Sequence, residues 1–344
     1  MINLGIIGAG RMGITHFSII NSHPLVSIKA IADPSGIVLN LMKKYISNLN
    51  IYKDYLEMLQ KENINAVLVC TPPNFHFQVI KECLNKRLHV FAEKPFTLKY
   101  EHASELANSF KLQNLVNQVG YVNRFNDVFI KTRELLDQQI IGKVIRFKSE
   151  MFSCTILKSD ESSGWRASRE NGGGAVYEMA AHAIDLVNYL IGSPVKITGS
   201  SLNNIYSKNV EDAVSATFLY KDGISGTIYI NWSDESYRKP TNKFEIFGLS
   251  GKIIADQHSL KIYVKEANKD HNLIKGWNNL YITDIFKPVP FYVRGNEFTR
   301  QLYHFAELIM NNNAHSNQCS FEEGAKTMKI IESIFSDYET NGKI

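Results

Sequence analysis

Cysteine is scarce in this sequence. Cys70, Cys83, Cys154 and Cys319 stand far apart with no CxxC pair among them, which argues against a clustered-thiol zinc site and a disulfide scaffold. Long apolar runs are missing too: no stretch approaches the roughly 20 residues that a bilayer-crossing helix needs. Met1 leads directly into a strand-like segment, without a basic leader and cleavage site. A soluble protein of the reducing cytoplasm, with no membrane partner, is the expectation. Charge of one sign is also in short supply, since 38 Lys+Arg against 34 Asp+Glu leave a formal net charge of +4. The basic residues form no arm, stripe or aromatic-interleaved patch, so nucleic acid is not an expected partner. Nor do His16, His23, His76, His89 and His102 fall at metal-ligand spacing with carboxylates or cysteines, and no metal is expected.

What remains is the composition of an ordinary globular protein, 44% hydrophobic and 21% charged, in a chain of 344 residues that is long enough for two domains. Up to about residue 120 short apolar strands alternate with amphipathic helices. The strands read as residues 3–7, 28–32, 66–70, 88–92 and 116–121, and the helices as 12–20, 34–44, 55–61, 75–85 and 100–110. Strands buried on both faces and joined by crossover helices predict a parallel, doubly wound α/β sheet. Beyond Tyr121 the rhythm changes. A helix over 125–137 precedes a long strand over 144–154, a glycine-rich segment at 171–174 and a helix over 175–190. Alternating strands then follow, among them 213–220, 225–233 and 243–247, with no helices between them, which predicts a mostly antiparallel open sheet in an α+β domain. Residues 267–290 read as a long irregular excursion, and helices over 297–311 and 321–338 close the chain. The expected domains are 1–121 and 122–344, the terminal helix being a candidate to pack across their junction.

Gly8-Ala9-Gly10-Arg11-Met12-Gly13 follows the first strand and opens a helix. In such a GxGxxG turn the first glycine permits the tight bend and the second admits a pyrophosphate to the backbone. The third lets the helix pack closely on the sheet, and the helix N-terminus faces the negative charge. Asp33 stands twenty residues after Gly13, at the end of the second strand. A carboxylate there can accept hydrogen bonds from the adenosine ribose hydroxyls and would repel a 2′-phosphate, so NAD is expected and NADP is less favoured. Arg11 has two readings, a phosphate contact or a surface arginine. Met12 lies in the same cofactor loop.

Combined with Glu93-Lys94-Pro95 and the segment from Gly172 through His182 to Asp185, this fingerprint resembles the Gfo/Idh/MocA oxidoreductases, the family of glucose-fructose oxidoreductase, inositol dehydrogenase and the rhizopine catabolism protein. The resemblance extends over nearly the whole chain. It implies that Lys94 lies beside both nicotinamide and substrate, where an ammonium can hydrogen-bond the reacting oxygen and stabilise its developing charge. It also implies that Glu93 sits beside the cofactor, that the peptide bond before Pro95 is often cis, and that Thr71, Pro72, Asn74 and His76 surround the cofactor. His76 retains a structural alternative, as the start of a helix. Trp165 and Arg166 resemble a pair that reaches the cofactor from the second domain, Arg124 a recurring junction arginine, and Asn123 a substrate-facing residue. Such enzymes commonly assemble through the second sheet, so a homodimer or homotetramer is expected.

Glu178 and His182 are four residues apart on the helix that resembles the family's active-site helix, and so share one face. His182 is the candidate general acid/base, because an imidazole titrates near neutrality. Its alternative role is to orient the substrate while Lys94 handles the proton. Two residues depart from the family pattern: Glu178 stands where aspartate is usual, and Ala180 where glycine is usual. Asp185 either supports the site or makes a structural hydrogen bond. The resemblance therefore implies hydride transfer between nicotinamide and a secondary alcohol or ketone of a small-molecule sugar, nucleotide sugar or cyclic polyol. Two alternatives accompany it: an enzyme that recycles a retained NAD, and a noncatalytic dinucleotide-dependent regulator.

Overall fold

A computed structural model describes residues 1–45, 49–158, 164–314 and 317–342. The chain groups into two compact units, one of residues Met1–Val122 with Pro288–Ala325, the other of Asn123–Lys287 with Lys326–Ile344.

The first unit is built on strands β1 (Ile2–Ile7), β2 (Val26–Ala32), β3 (Asn50–Tyr52), β4 (Ala66–Val69), β5 (His89–Ala92) and β6 (Asn117–Val119). They lie in the order β3-β2-β1-β4-β5-β6, and every pair is parallel. The crossovers are helices α1 (Arg11–Ile20), α2 (Gly36–Tyr45), α3 (Tyr55–Lys61), α4 (Pro73–Asn85) and α5 (Tyr100–Leu112). All four side chains of β4 are fully buried, as a central strand covered on both faces requires. Local chemistry sets the helix starts. Asp54 caps α3 by accepting from the Leu56 N–H at 2.9 Å, and Pro73 occupies the first turn of α4, where its missing N–H costs nothing. Ile2, Leu4 and Ile6 of β1 pack with Phe17, Ile19 and Ile20 of α1, and the same core takes in Leu302 and Phe305 from later in the chain.

In the second unit, helix α6 (Asp127–Asp137) precedes strand β7 (Val144–Phe152), and helix α7 (Ala181–Leu190) follows it. Next come β8 (Lys196–Asn203), β9 (Ala213–Leu219), β10 (Ser225–Asn231), β11 (Thr241–Gly248), β12 (Gly251–Asp256), β13 (Ser259–Val264), β14 (Gly276–Tyr281) and the short helix α8 (Ile282–Ile285). The eight strands run β14-β13-β12-β11-β7-β10-β9-β8 and are antiparallel except for the β7–β10 pair. Alternation is regular. Phe147, Phe218, Phe244, Ile246 and Ile253 are buried on the face that carries α6 and α7, while Tyr229, Phe247, Tyr263, Trp277 and Tyr281 are exposed on the other. Helices α9 (Asn296–Met310) and α10 (Phe321–Asp337) close the chain; α9 packs on α1, and the division between the units falls within α10.

Three features differ from the sequence reading. Strand β3 was not anticipated, because three residues at a sheet edge are too few to display a period. The segment read as irregular contains β14, which pairs with β13, and α8; Asn278, whose amide donates to the Ile274, Gly276 and Ile262 carbonyls, stands where an apolar residue would have shown the alternation. The helix expected over 175–190 opens with a π turn over Val176–Ala180 before α7 begins. No helix among the described residues is long and apolar enough to cross a membrane.

Candidate active site

At the carboxyl end of β1 the chain turns through Gly8 at φ +99°, and a Cβ there would lie 2.6 Å from the Cys70 carbonyl oxygen. A Cβ on Gly13 would come within 2 Å of the Gly8 carbonyl oxygen, so α1 approaches the turn as closely as only glycine permits. Gly10, the residue preceding α1, is the opposite case: nothing lies within 4 Å of the space its Cβ would enter. That open cradle before a helix N-terminus suits a pyrophosphate. Asp33 lies just past β2. Its carboxylate accepts from the Ala9 N–H at 2.7 Å and from the Ser35 N–H at 2.7 Å. A carboxylate has about four lone-pair sites, so acceptor capacity remains for ribose hydroxyls while Asp33 also holds the glycine turn.

The next two strand ends complete this edge. Thr71 follows β4, and its hydroxyl is buried without a hydrogen-bond partner among the described residues, a donor well suited to a polar ligand. Pro72 and Asn74 are exposed at the start of α4. His76 is buried between backbone carbonyls, with Nδ1 3.0 Å from Pro95 O and Nε2 2.9 Å from Thr71 O. It thus stands between the turn after β4 and the stretch after β5, the neutral ring donating its one N–H to one of the two carbonyls. Burial lowers its pKa despite those carbonyls.

After β5 comes Glu93, buried, with Oε1 2.5 Å from His16 Nε2 on α1 and Oε2 accepting from the Lys94 N–H at 3.1 Å. Burial pushes the Glu93 carboxyl up, yet His16 and Lys94 together hold it below the ordinary range. His16 Nδ1 is buried without a partner among the described residues. A carboxylate oxygen only accepts, so Nε2 is the ring nitrogen that donates to Glu93. Lys94 is half-buried, and the Lys94–Pro95 peptide bond is cis.

The second unit places its candidates around the glycine-rich turn. Arg166 stacks on Trp165, with its guanidinium carbon 4.6 Å from the ring centroid, and donates to Glu178 Oε1 at 3.3 Å. The departure from aspartate therefore has a geometric consequence. A side chain shorter by one carbon–carbon bond, about 1.5 Å, would withdraw from Arg166. Solvent screening keeps such a partly exposed pair weak, about 1 kcal/mol or less. Glu178 belongs to the π turn, and His182 follows in the first turn of α7. Glu211, buried to 1% exposure, braces this helix start: it accepts from the Val176 N–H at 3.0 Å and from Arg169 Nη2 at 3.0 Å. Gly174 lies at φ +100°, which an L side chain rarely adopts, and a Cβ there would also meet Glu211 Oε1 at 2.2 Å. Asn123 is buried. Arg124 and Asp185 form a buried bidentate ion pair, with Nε 2.9 Å from Oδ2 and Nη2 2.8 Å from Oδ1, so the recurring arginine holds α7 in place.

Three further residues stand beside these candidates, and the sequence reading had assigned them no such part: His16 under Glu93, Glu211 at the helix start, and Arg294, whose Nη1 lies 3.8 Å from Met12 Sδ. His16 was legible only as a histidine without ligand spacing, and the other two pairings join distant stretches of chain. Among the described residues no group of three or more His, Cys, Asp or Glu is placed to hold a metal ion.

Comparison with known proteins bears on the family and the fold. Residues 2–121 match the family described as oxidoreductases with an NAD-binding Rossmann fold, and residues 129–254 match the GFO/IDH/MocA C-terminal domain. An uncharacterised oxidoreductase of Bacillus subtilis, YrbE, is 26% identical over 95% of this chain and 91% of its own length. Myo-inositol 2-dehydrogenase of Thermotoga maritima is 28% identical over 74% and 75% of the two chains. Among solved structures, levoglucosan dehydrogenase in complex with NADH superposes with a TM-score of 0.86 over 98% of this chain and 97% of its own, at 19% identity, a likeness of fold.

Proposed function

Because the chain belongs to the Gfo/Idh/MocA oxidoreductases, a family of NAD-binding enzymes, we propose that it interconverts a secondary alcohol and a ketone on a sugar, nucleotide sugar or cyclic polyol, with NAD preferred to NADP. One observation carries the reading. The glycine turn, Asp33, Thr71 and Lys94 follow the carboxyl ends of β1, β2, β4 and β5, and the strand order reverses between β1 and β4. Ligands of open parallel sheets bind at such a switch point. When bound there, the dinucleotide supplies the hydride acceptor for oxidation or the donor for reduction.

The chain's own groups divide the remaining work. The glycine turn and the N-terminus of α1 hold the pyrophosphate, and Asp33 takes the adenosine ribose, where its charge disfavours a 2′-phosphate. Lys94 donates a hydrogen bond to the reacting oxygen and stabilises the charge that develops on it. His182 takes the hydroxyl proton in the oxidising direction and returns it in the reducing one, while Glu178 binds a neighbouring hydroxyl. Names among the relatives support the substrate class: myo-inositol 2-dehydrogenase and the scyllo-inositol 2-dehydrogenase of Bacillus subtilis each name a cyclic polyol. Self-association is assigned to the outer face of the eight-stranded sheet, where Tyr229, Phe247, Tyr263 and Trp277 stand exposed in neighbouring strands. Light scattering that returned a monomer at micromolar concentration would contradict it.

The experiment is near-ultraviolet absorbance after cofactor-stripped protein meets NAD or NADP with a panel of cyclic polyols, free sugars and nucleotide sugars. Substrate-dependent NADH formation that Lys94→Met abolishes, with NAD binding retained, is the expected result. NAD binding without turnover in either direction would overturn the dehydrogenase reading in favour of a regulator. Cofactor that copurifies and never leaves would point to internal recycling.

A further inference from the structure

The first unit brings two arginines to the start of α1. Arg11 opens the helix. Arg294 precedes α9, and its exposed guanidinium is fixed on two sides, 5.0 Å over the Phe298 ring and 3.8 Å from Met12 Sδ. Neither guanidinium makes an ion pair among the described residues. The acids nearby do not neutralise the pair. Glu93 is bonded to His16, and the Glu297 carboxylate folds back against Gly295. Partial burial and the repulsion from Arg11 push Arg294 below the ordinary arginine range, more than Glu93 and Glu297 restore it. Folding has therefore placed like charges together, beside the open cradle of Gly10 and the positive end of a helix.

An anion bound there would offset that repulsion. A guanidinium has five donors in a planar fork, suited to bidentate contact with phosphate oxygens. We propose that Arg294 is a pyrophosphate-binding residue of the dinucleotide site, clamping from the α9 side the phosphates that the glycine turn cradles from beneath. The inference rests on the dinucleotide reading above and adds to it a ligand from the far end of the chain. Phe298 and Met12 hold the fork in place before the ligand arrives, so little side-chain freedom is lost on binding.

A purely structural arginine and an anion clamp differ in a measurable way. Removing the clamp relieves the repulsion from Arg11, so the apoprotein of Arg294→Met unfolds at the same temperature as wild type or higher. Its Kd for NAD, followed by fluorescence titration, rises about tenfold or more, as loss of a charge-assisted hydrogen bond implies. ADP-ribose, which keeps the pyrophosphate and lacks the nicotinamide, weakens by a similar factor, and Arg294→Lys falls between. Wild-type affinity for NAD in Arg294→Met overturns the proposal. So does an apoprotein melting well below wild type, which would mark a structural arginine. Wild-type protein that binds neither NAD nor ADP-ribose would instead defeat the dinucleotide reading itself, and the clamp with it.

Discussion

Arg124 and Asp185 offer the sharpest energetic test of how the second unit holds its candidate helix. Both side chains are 2% exposed or less, and three N–H···O contacts of 2.8–3.1 Å join them. At an effective dielectric of 20, two unit charges about 4 Å apart attract by about 4 kcal/mol. Desolvation offsets much of this, so the intact pair contributes little net stability. A broken pair is costly because it strips a buried charge of its bidentate partner, about 3–5 kcal/mol. Arg124→Met and Asp185→Asn should therefore each destabilise by that amount, a large part of a typical total of about 5–15 kcal/mol. The double variant Arg124→Met/Asp185→Leu replaces the pair with apolar groups and should lose much less than the sum of the single losses. Urea unfolding followed by fluorescence and circular dichroism measures this; if the two units unfold in separate steps, the loss belongs to the step of the second. Single losses below about 1 kcal/mol, or a strictly additive double variant, would refute the reasoning.

Within the glycine turn, Gly13→Ala should cost about 3 kcal/mol or more, because its methyl group meets the Gly8 carbonyl. Gly10→Ala, facing open space, should leave the apoprotein melt unchanged and weaken NAD binding; equal melting losses for the two would contradict the assignment. Asp33→Ala should raise the Kd for NAD about tenfold or more by removing charged acceptors, and narrow the preference over NADP, as titration with each cofactor would show. Acidification should destabilise the protein below about pH 6.5. Burial depresses His76, His89 and His304, so the unfolded chain takes up protons there that the folded chain refuses. A second loss follows near and below pH 4. There Asp212, which burial pushes up but the N–H groups of Ser207, Ile205 and Trp232 hold low, must protonate, as must Glu93. Thermal melts at pH 7.5, 5.5 and 4 read both; a midpoint that stays level or rises as the pH falls would be the contrary result.

The sequence by itself determined whatever is encoded locally. Four-residue apolar runs such as Ala66–Val69, separated by crossover helices, leave a parallel sheet as the simple solution, and period-two alternation from β9 to β13 implies a sheet with one covered face. The glycine turn was legible because its chemistry is that of contiguous backbone, and Asp33 because one crossover sets its distance from that turn. Tertiary structure alone decided which charges meet. His16 and Glu93 are 77 positions apart, Arg124 and Asp185 are 61 apart, and Arg294 and Met12 are 282 apart. Such pairings depend on strand register and helix packing, which no spacing along the chain records. The same reason governs the candidate residues. The family resemblance implied that Glu93 sits beside the cofactor, and only the packing of α1 against the end of β5 shows its carboxylate held by a histidine. Residue type likewise left Asp185 with two roles, and only the tertiary structure shows its buried ion pair with Arg124.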